Sequence, residues 1–176
     1  MLQVTDIRLH RATEADADGI AAVHVRSWQA AYRGLLPQAY LDGLSVTDRA
    51  ASWRHELSAL PADRRPWVAL VEERVRGFVI AGPSRDEDGD PDTAEIHALY
   101  VDPECWDLGV GRALMHHQVD FLRRRGYRHA TLWVLADNLR ATGFYEAGRW
   151  ARDGAVKSVV IAGQTLQEVR YRLELA

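Results

Sequence analysis

Gly109 and Gly111 stand where a loop turns into an amphipathic segment running to about residue 125, with Val110, Ala113, Leu114 and Phe121 on one apolar stripe. Removing two side chains there lets backbone N–H groups converge on an anion at a helix N-terminus, where the macrodipole adds attraction. A pyrophosphate is the natural guest; a bare structural turn is the competing reading. The pattern is not a P-loop, because no Gly-Lys-Ser/Thr follows. Nor is it a dinucleotide fingerprint, because position 114 is Leu and no N-terminal strand precedes it. Other reactive residue types read as ordinary structure. His116 and His117 are adjacent, so on a helix they diverge by about 100° and make a poor metal pair. His117 falls on the apolar stripe, as a hydrogen-bonded histidine at the core's edge. Asp86, Asp88, Asp90 and Asp92 alternate as in a calcium loop but lack its downstream Glu, so residues 84–93 are expected to be a solvated loop without metal. Arg123, Arg124 and Arg125 read as a solvated helix end that complements the dipole.

The elements that must position this loop follow from periodicity. Residues 7–11 alternate as a strand. Thr13 and Asp16 have capping-box spacing for a helix from 14 to about 31, ended by Gly34. Pro37 opens a short helix through 44, and Ser45 or Thr47 caps another to about 60. Residues 67–72 and 77–81 read as a hairpin turning near Glu73-Arg74. Residues 94–101 form a buried strand stopped by Asp102-Pro103; the glycine loop and its helix follow, closed by Gly126. Residues 130–135 are a strand, 138–147 a short helix, and 156–161 and 166–175 two final strands around Gly163. The order predicts a mixed α/β sheet with helices on its faces.

The 176 residues fit one domain, 1–176. Hydrophobic residues at 47 % and charged residues at 27 % exclude wholesale disorder. A net charge of -3 is not the footprint of a nucleic-acid binder. Lys157 is the only lysine, a bias that reflects composition rather than chemistry. Cys105 is the only cysteine, which excludes an intramolecular disulfide and suits a reducing, cytoplasmic setting. Residues 1–10 lack a signal-peptide core, and no run approaches the roughly 20 apolar residues of a membrane span, so no membrane partner is expected.

Two segments in register carry a resemblance. Ala94-Glu95-Ile96-His97-Ala98-Leu99-Tyr100-Val101-Asp102-Pro103 followed by Gly109-Val110-Gly111-Arg112-Ala113-Leu114 resembles the acyl-CoA-binding core of the GCN5-related N-acetyltransferases. Asp137-Asn138-Leu139-Arg140-Ala141 and Phe144-Tyr145-Glu146-Ala147-Gly148 resemble that family's Asn-x-x-Ala…Phe-Tyr-x-x-Gly segment. The resemblance implies a mostly antiparallel sheet splayed at a bulge, with a pantetheine arm in the gap. It implies that backbone groups of Leu99, Tyr100 and Val101 pair with the pantetheine amides. Amides from Asp107 through Leu108, Gly109, Val110 and Gly111 to Arg112 would hold the pyrophosphate, and Asn138 and Tyr145 would flank the thioester. The loop departs from the family in Asp107, whose carboxylate beside a pyrophosphate is repulsive unless it turns to solvent.

Acetyl transfer to an amine requires that the ammonium lose its proton, that the carbonyl oxygen be stabilised, and that the leaving thiolate be protonated. The resemblance puts Glu95 at the base position, with His97 as a reserve base or a relay through water. It makes Tyr145 the general acid and the Val101 N–H the oxyanion donor. Trp28 and Tyr32, spaced by four on the first helix, fit either an acceptor pocket or core packing. The expected function is direct transfer from acetyl-CoA to a small-molecule primary amine, without metal or acyl-enzyme. Protein N-terminal acetylation and a non-catalytic acyl-CoA sensor are the alternatives. A homodimer through the last strands is expected by analogy.

Overall fold

A computed structural model describes residues 6–175. Residues 1–5, part of the segment judged to lack a leader, lie outside it. The strands are β1 (Arg8–Arg11), β2 (Trp67–Val71), β3 (Arg74–Pro83), β4 (Thr93–Val101), β5 (His129–Leu135), β6 (Ala151–Ile161) and β7 (Gln164–Glu174). The helices are α1 (Ala17–Ala31), α2 (Gln38–Asp42), α3 (Val46–Ala59), α4 (Val110–Arg124) and α5 (Leu139–Ala147). One seven-stranded sheet runs β1-β2-β3-β4-β5-β7-β6. Every pairing is antiparallel except β4 with β5.

Each face of the sheet carries its own core. On one face α1 and α3 bury Ile20, Val23, Trp53 and Leu57 against Val68 and Phe78. On the other, α4 and α5 bury Val110, Leu114 and Tyr145 against Val79, Ile96 and Leu132. Burying a side chain of Leu size stabilises by about 1.5–3 kcal/mol, so these stripes fix where each helix end falls.

The helix starts follow local chemistry. Thr13 and Asp16 form the expected capping box, though the first turn, Glu14–Asp16, is 3-10 and α1 begins at Ala17. Ser45 caps α3 by accepting from the Asp48 N–H at 3.1 Å. The hairpin turn sits one residue earlier than expected, with Glu72 and Glu73 both at positive φ and Val71 paired to Arg74. The sixth strand starts at Ala151 rather than 156: a register shift between Arg152 and Val156, with Gly154 at φ 92°, hides its alternation. The 84–93 loop is not free in solvent. Asp86 accepts from the Trp133 indole at 2.9 Å and from Arg170 at 3.0 Å, and Asp88 also holds Arg170, so the loop is pinned across β5 and β7.

Candidate active site

The site begins where the sheet opens. β4 and β5 pair only through Thr93–Ile96 and His129–Leu132. Beyond that, β4 continues to Val101 beside β3, and β5 continues to Leu135 beside β7. A bulge drives the parting. Ile80 pairs with Ala98 and Ala81 with Ile96, so His97 is an extra residue that bends β4 and increases its twist.

Alternation then decides which backbone groups face the gap. The Asp102 N–H donates to the Arg76 carbonyl at 2.8 Å, so the ladder binds Tyr100 to Phe78 and turns the Leu99 and Val101 polar groups away from β3. Of the three backbone positions expected at the pantetheine arm, Leu99 and Val101 face the gap, and Tyr100 is turned to β3. The Trp106 indole N–H donates to the Val101 carbonyl at 2.9 Å, tying the loop before α4 to the end of β4.

Gly109, at φ 87°, is the N-cap of α4, a left-handed conformation that costs a non-glycine residue roughly 1–2 kcal/mol. The N–H groups of Asp107, Gly109, Val110, Gly111 and Arg112 have no acceptor among the described residues. The Leu108 N–H turns back to the Cys105 carbonyl at 3.4 Å, which takes it out of the expected set. Four consecutive unpartnered amides beside an open strand edge fit a diphosphate followed by an amide-bearing arm. The Asp107 carboxylate does not crowd them: it is exposed and accepts from Arg140 at 3.1 and 3.2 Å. That guanidinium also lies 4.4 Å over the Trp106 ring.

Asn138 caps α5, its side-chain oxygen accepting from the Ala141 N–H at 3.2 Å. The cap fixes the helix that carries Tyr145, 9 % exposed and packed against Phe144, Trp150 and Tyr171. Burial first, and the neighbouring Tyr100 second, push the Tyr145 phenol well above its ordinary value, so it keeps its proton. Tyr145 belongs to the α4-side core, and Tyr100 packs against the α1-side core.

Glu95 is buried and already bound. It accepts from the Arg85 backbone N–H at 2.9 Å and from its guanidinium at 2.6 and 3.2 Å. Burial alone would raise this carboxyl, but the Arg85 hydrogen bonds and charge outweigh it and the net shift is downward. The His97 Nε2 lies 3.9 Å from Glu95 and 3.4 Å from the Pro83 carbonyl. Burial, then the Arg85 charge, lower the His97 pKa below its ordinary 6.5, with Glu95 opposing. Room for the imidazole comes from Gly82, where a Cβ would stand 3.0 Å from the His97 Cε1. The pair therefore offers an ionised, clamped carboxylate and a neutral imidazole.

Trp28 and Tyr32 meet edge to face at 4.8 Å, and Trp28 stands 6.5 Å from Tyr100. Neither residue joins the core cluster beneath α1. Burial, then Tyr100 and Tyr145, push the Tyr32 phenol well up. His117, expected to be hydrogen-bonded, instead packs edge-on against Trp67 at 4.2 Å with its Nε2 unpartnered. Arg85 escaped the sequence reading, as did the contact between Trp106 and Arg140. Arg85 sits in the acidic loop with no local signal, whereas Trp106 and Arg140 lie inside the two motifs and their pairing was recoverable only from the fold.

Among the described residues, no group of three or more His, Cys, Asp or Glu is placed to hold a metal ion, and no helix is long and apolar enough to cross a membrane. A sheet parted at a bulge beside a glycine-capped, donor-rich helix defines an acyl-CoA-dependent acyltransferase. The chain belongs to the acetyltransferase (GNAT) family, whose model matches residues 25–149, and it is an acetyl-CoA-dependent N-acetyltransferase. It is similar to the uncharacterized N-acetyltransferase YuaI of Bacillus subtilis, 32 % identical over 93 % of this chain and 90 % of that protein. It is also similar to the probable N-acetyltransferase Rv2775 of Mycobacterium tuberculosis, 25 % identical over 98 % and 96 %. The fold matches a GCN5-related N-acetyltransferase crystal structure from Rhodopseudomonas palustris with a TM-score of 0.75, at 20 % identity over 99 % of each chain.

Proposed function

We propose that the protein acetylates a primary amine of a small molecule by direct transfer within a ternary complex. The observation that supports this is the opening between β4 and β5, beside the free amides at the start of α4. Acetyl-CoA, when bound, supplies the activated acetyl thioester. The N–H groups of Gly109, Val110, Gly111 and Arg112 would hold its diphosphate, and the Leu99 and Val101 backbone its arm. The Val101 N–H faces the gap as an oxyanion donor.

His97 takes the amine's proton, since it is neutral near pH 7 and its imidazole is not clamped as Glu95 is. Glu95, held by Arg85, orients that imidazole and stabilises it once charged. Tyr145 holds a proton for the departing group. Trp28 and Tyr32 line the acceptor side, where aromatic faces favour a cation. An amine-panel assay that detects free thiol tests the reading. Release with one amine class supports it, and a thermal shift with acetyl-CoA but no release with any amine favours a sensor. The exposed Val156 and Val160 on the edge strand β6 support a homodimer through the last strands, which sedimentation at micromolar concentration tests.

A further inference from the structure

Two arginines near the open end of the sheet are already committed. Arg85 is bound by Glu95, and Arg170 is ringed by Asp86, Asp88 and Asp153 at 2.6 to 3.0 Å. The loose pair is Lys157 with Glu168, at 3.5 Å, on the facing registers of β6 and β7. Glu168 also sits opposite Leu135, the last residue of β5, at the end of the strand from which β4 has departed. Its side chain is 21 % exposed, so it is walled in but reachable. Lys157 is half-exposed, and its ammonium lies 4.1 Å over the Trp133 ring, a resting place that does not depend on Glu168.

We infer that Glu168 is the specificity-determining residue of the acceptor site: it binds a second cationic nitrogen of the acceptor, displacing Lys157, while the first nitrogen is acetylated. The substrate class is then a diamine or polyamine rather than an amino acid. The inference deepens the proposed function and rests on the acceptor entering from the α1 side. Val169 and Tyr171 face the α4-side core, so Glu168, one step along the strand, faces the α1 side at the end of β5 that β4 has left, and its charge is among those that raise the Tyr32 and Tyr100 phenols. A single long, partly solvated Lys–Glu pair holds weakly, so an incoming ammonium can replace Lys157. An acceptor carboxylate in that position would be repelled by Glu168.

The test compares 1,4-diaminobutane, 1-butylamine and 4-aminobutyrate as acceptors, with thiol release as the readout. The diamine is expected to have a KM at least tenfold below that of butylamine, and the amino acid the highest. In Glu168→Gln the diamine advantage collapses to within about twofold, while Glu168→Asp retains part of it. An acetyl-CoA thermal shift shows that the variants are folded. Preference for 4-aminobutyrate, or an unchanged diamine advantage in Glu168→Gln, overturns the inference. If none of the three is acetylated, calorimetry on the CoA-loaded protein separates the claims. Diamine binding that Glu168→Gln weakens upholds the anchor and overturns the transfer reading; no diamine binding overturns the anchor.

Discussion

At the scale of single residues, the site turns on which groups are free to exchange a proton. Burial keeps Tyr145 protonated, so Tyr145→Phe should lower kcat by about 10²-fold or more with acetyl-CoA affinity nearly unchanged. Unchanged turnover at every pH removes the donor role. His97 should give kcat/KM an acid limb below pH 6.5, because the protonated imidazole cannot accept. His97→Gln should erase that limb. Glu95 raises the His97 pKa and Arg85 lowers it, so Glu95→Gln should move the limb to lower pH. If Glu95→Gln erases it instead, Glu95 is itself the acceptor. Glu95, His97 and Tyr145 could be put forward as candidates because they sit inside motifs of local spacing. Arg85 was not, since it reaches Glu95 from an acidic loop that only the folded chain brings beside β4.

At the scale of elements, most of the architecture was readable, and the exceptions share a cause. The capping box at Thr13 and the Ser45 cap announce their helices in three or four residues. The start of β6 and the hairpin turn did not, because a register shift and two glutamates at positive φ break the patterns that reading relies on. The α4 start makes a direct prediction. Acetyl-CoA at 100 times its Kd should stabilise the chain by about 2.7 kcal/mol, a Tm rise of roughly 5–10 °C by scanning calorimetry. Arg140 keeps the Asp107 carboxylate occupied beside those amides. Arg140→Ala should therefore weaken acetyl-CoA binding several-fold at low salt, and adding Asp107→Asn should restore it. Failure of the double variant to recover means that Arg140 acts on the ligand rather than on Asp107.

At the scale of the whole molecule, the two cores differ in how they meet acid. His24 stacks on Tyr100 at 5.0 Å beneath the aromatic wall, with its Nδ1 unpartnered. Burial, then Arg49, lower its pKa to about 4. As pH falls below the unfolded value of about 6.5, the unfolded chain takes up a proton that the folded chain resists, so stability falls, by up to about 3 kcal/mol near pH 4. Urea unfolding at pH 7 and pH 4.5 should show the loss, and His24→Phe should flatten it; an equal slope in the variant assigns the acid sensitivity elsewhere. The opening between β4 and β5 has a mechanical consequence as well. Four residue pairs form the ladder between two groups of strands, one of four and one of three. A guest that bridges the ragged edges completes the missing rungs, so amide hydrogens of residues 93–96 should exchange with deuterium more slowly in the loaded protein, although the guest's own hydrogen bonds would go to Leu99 and Val101.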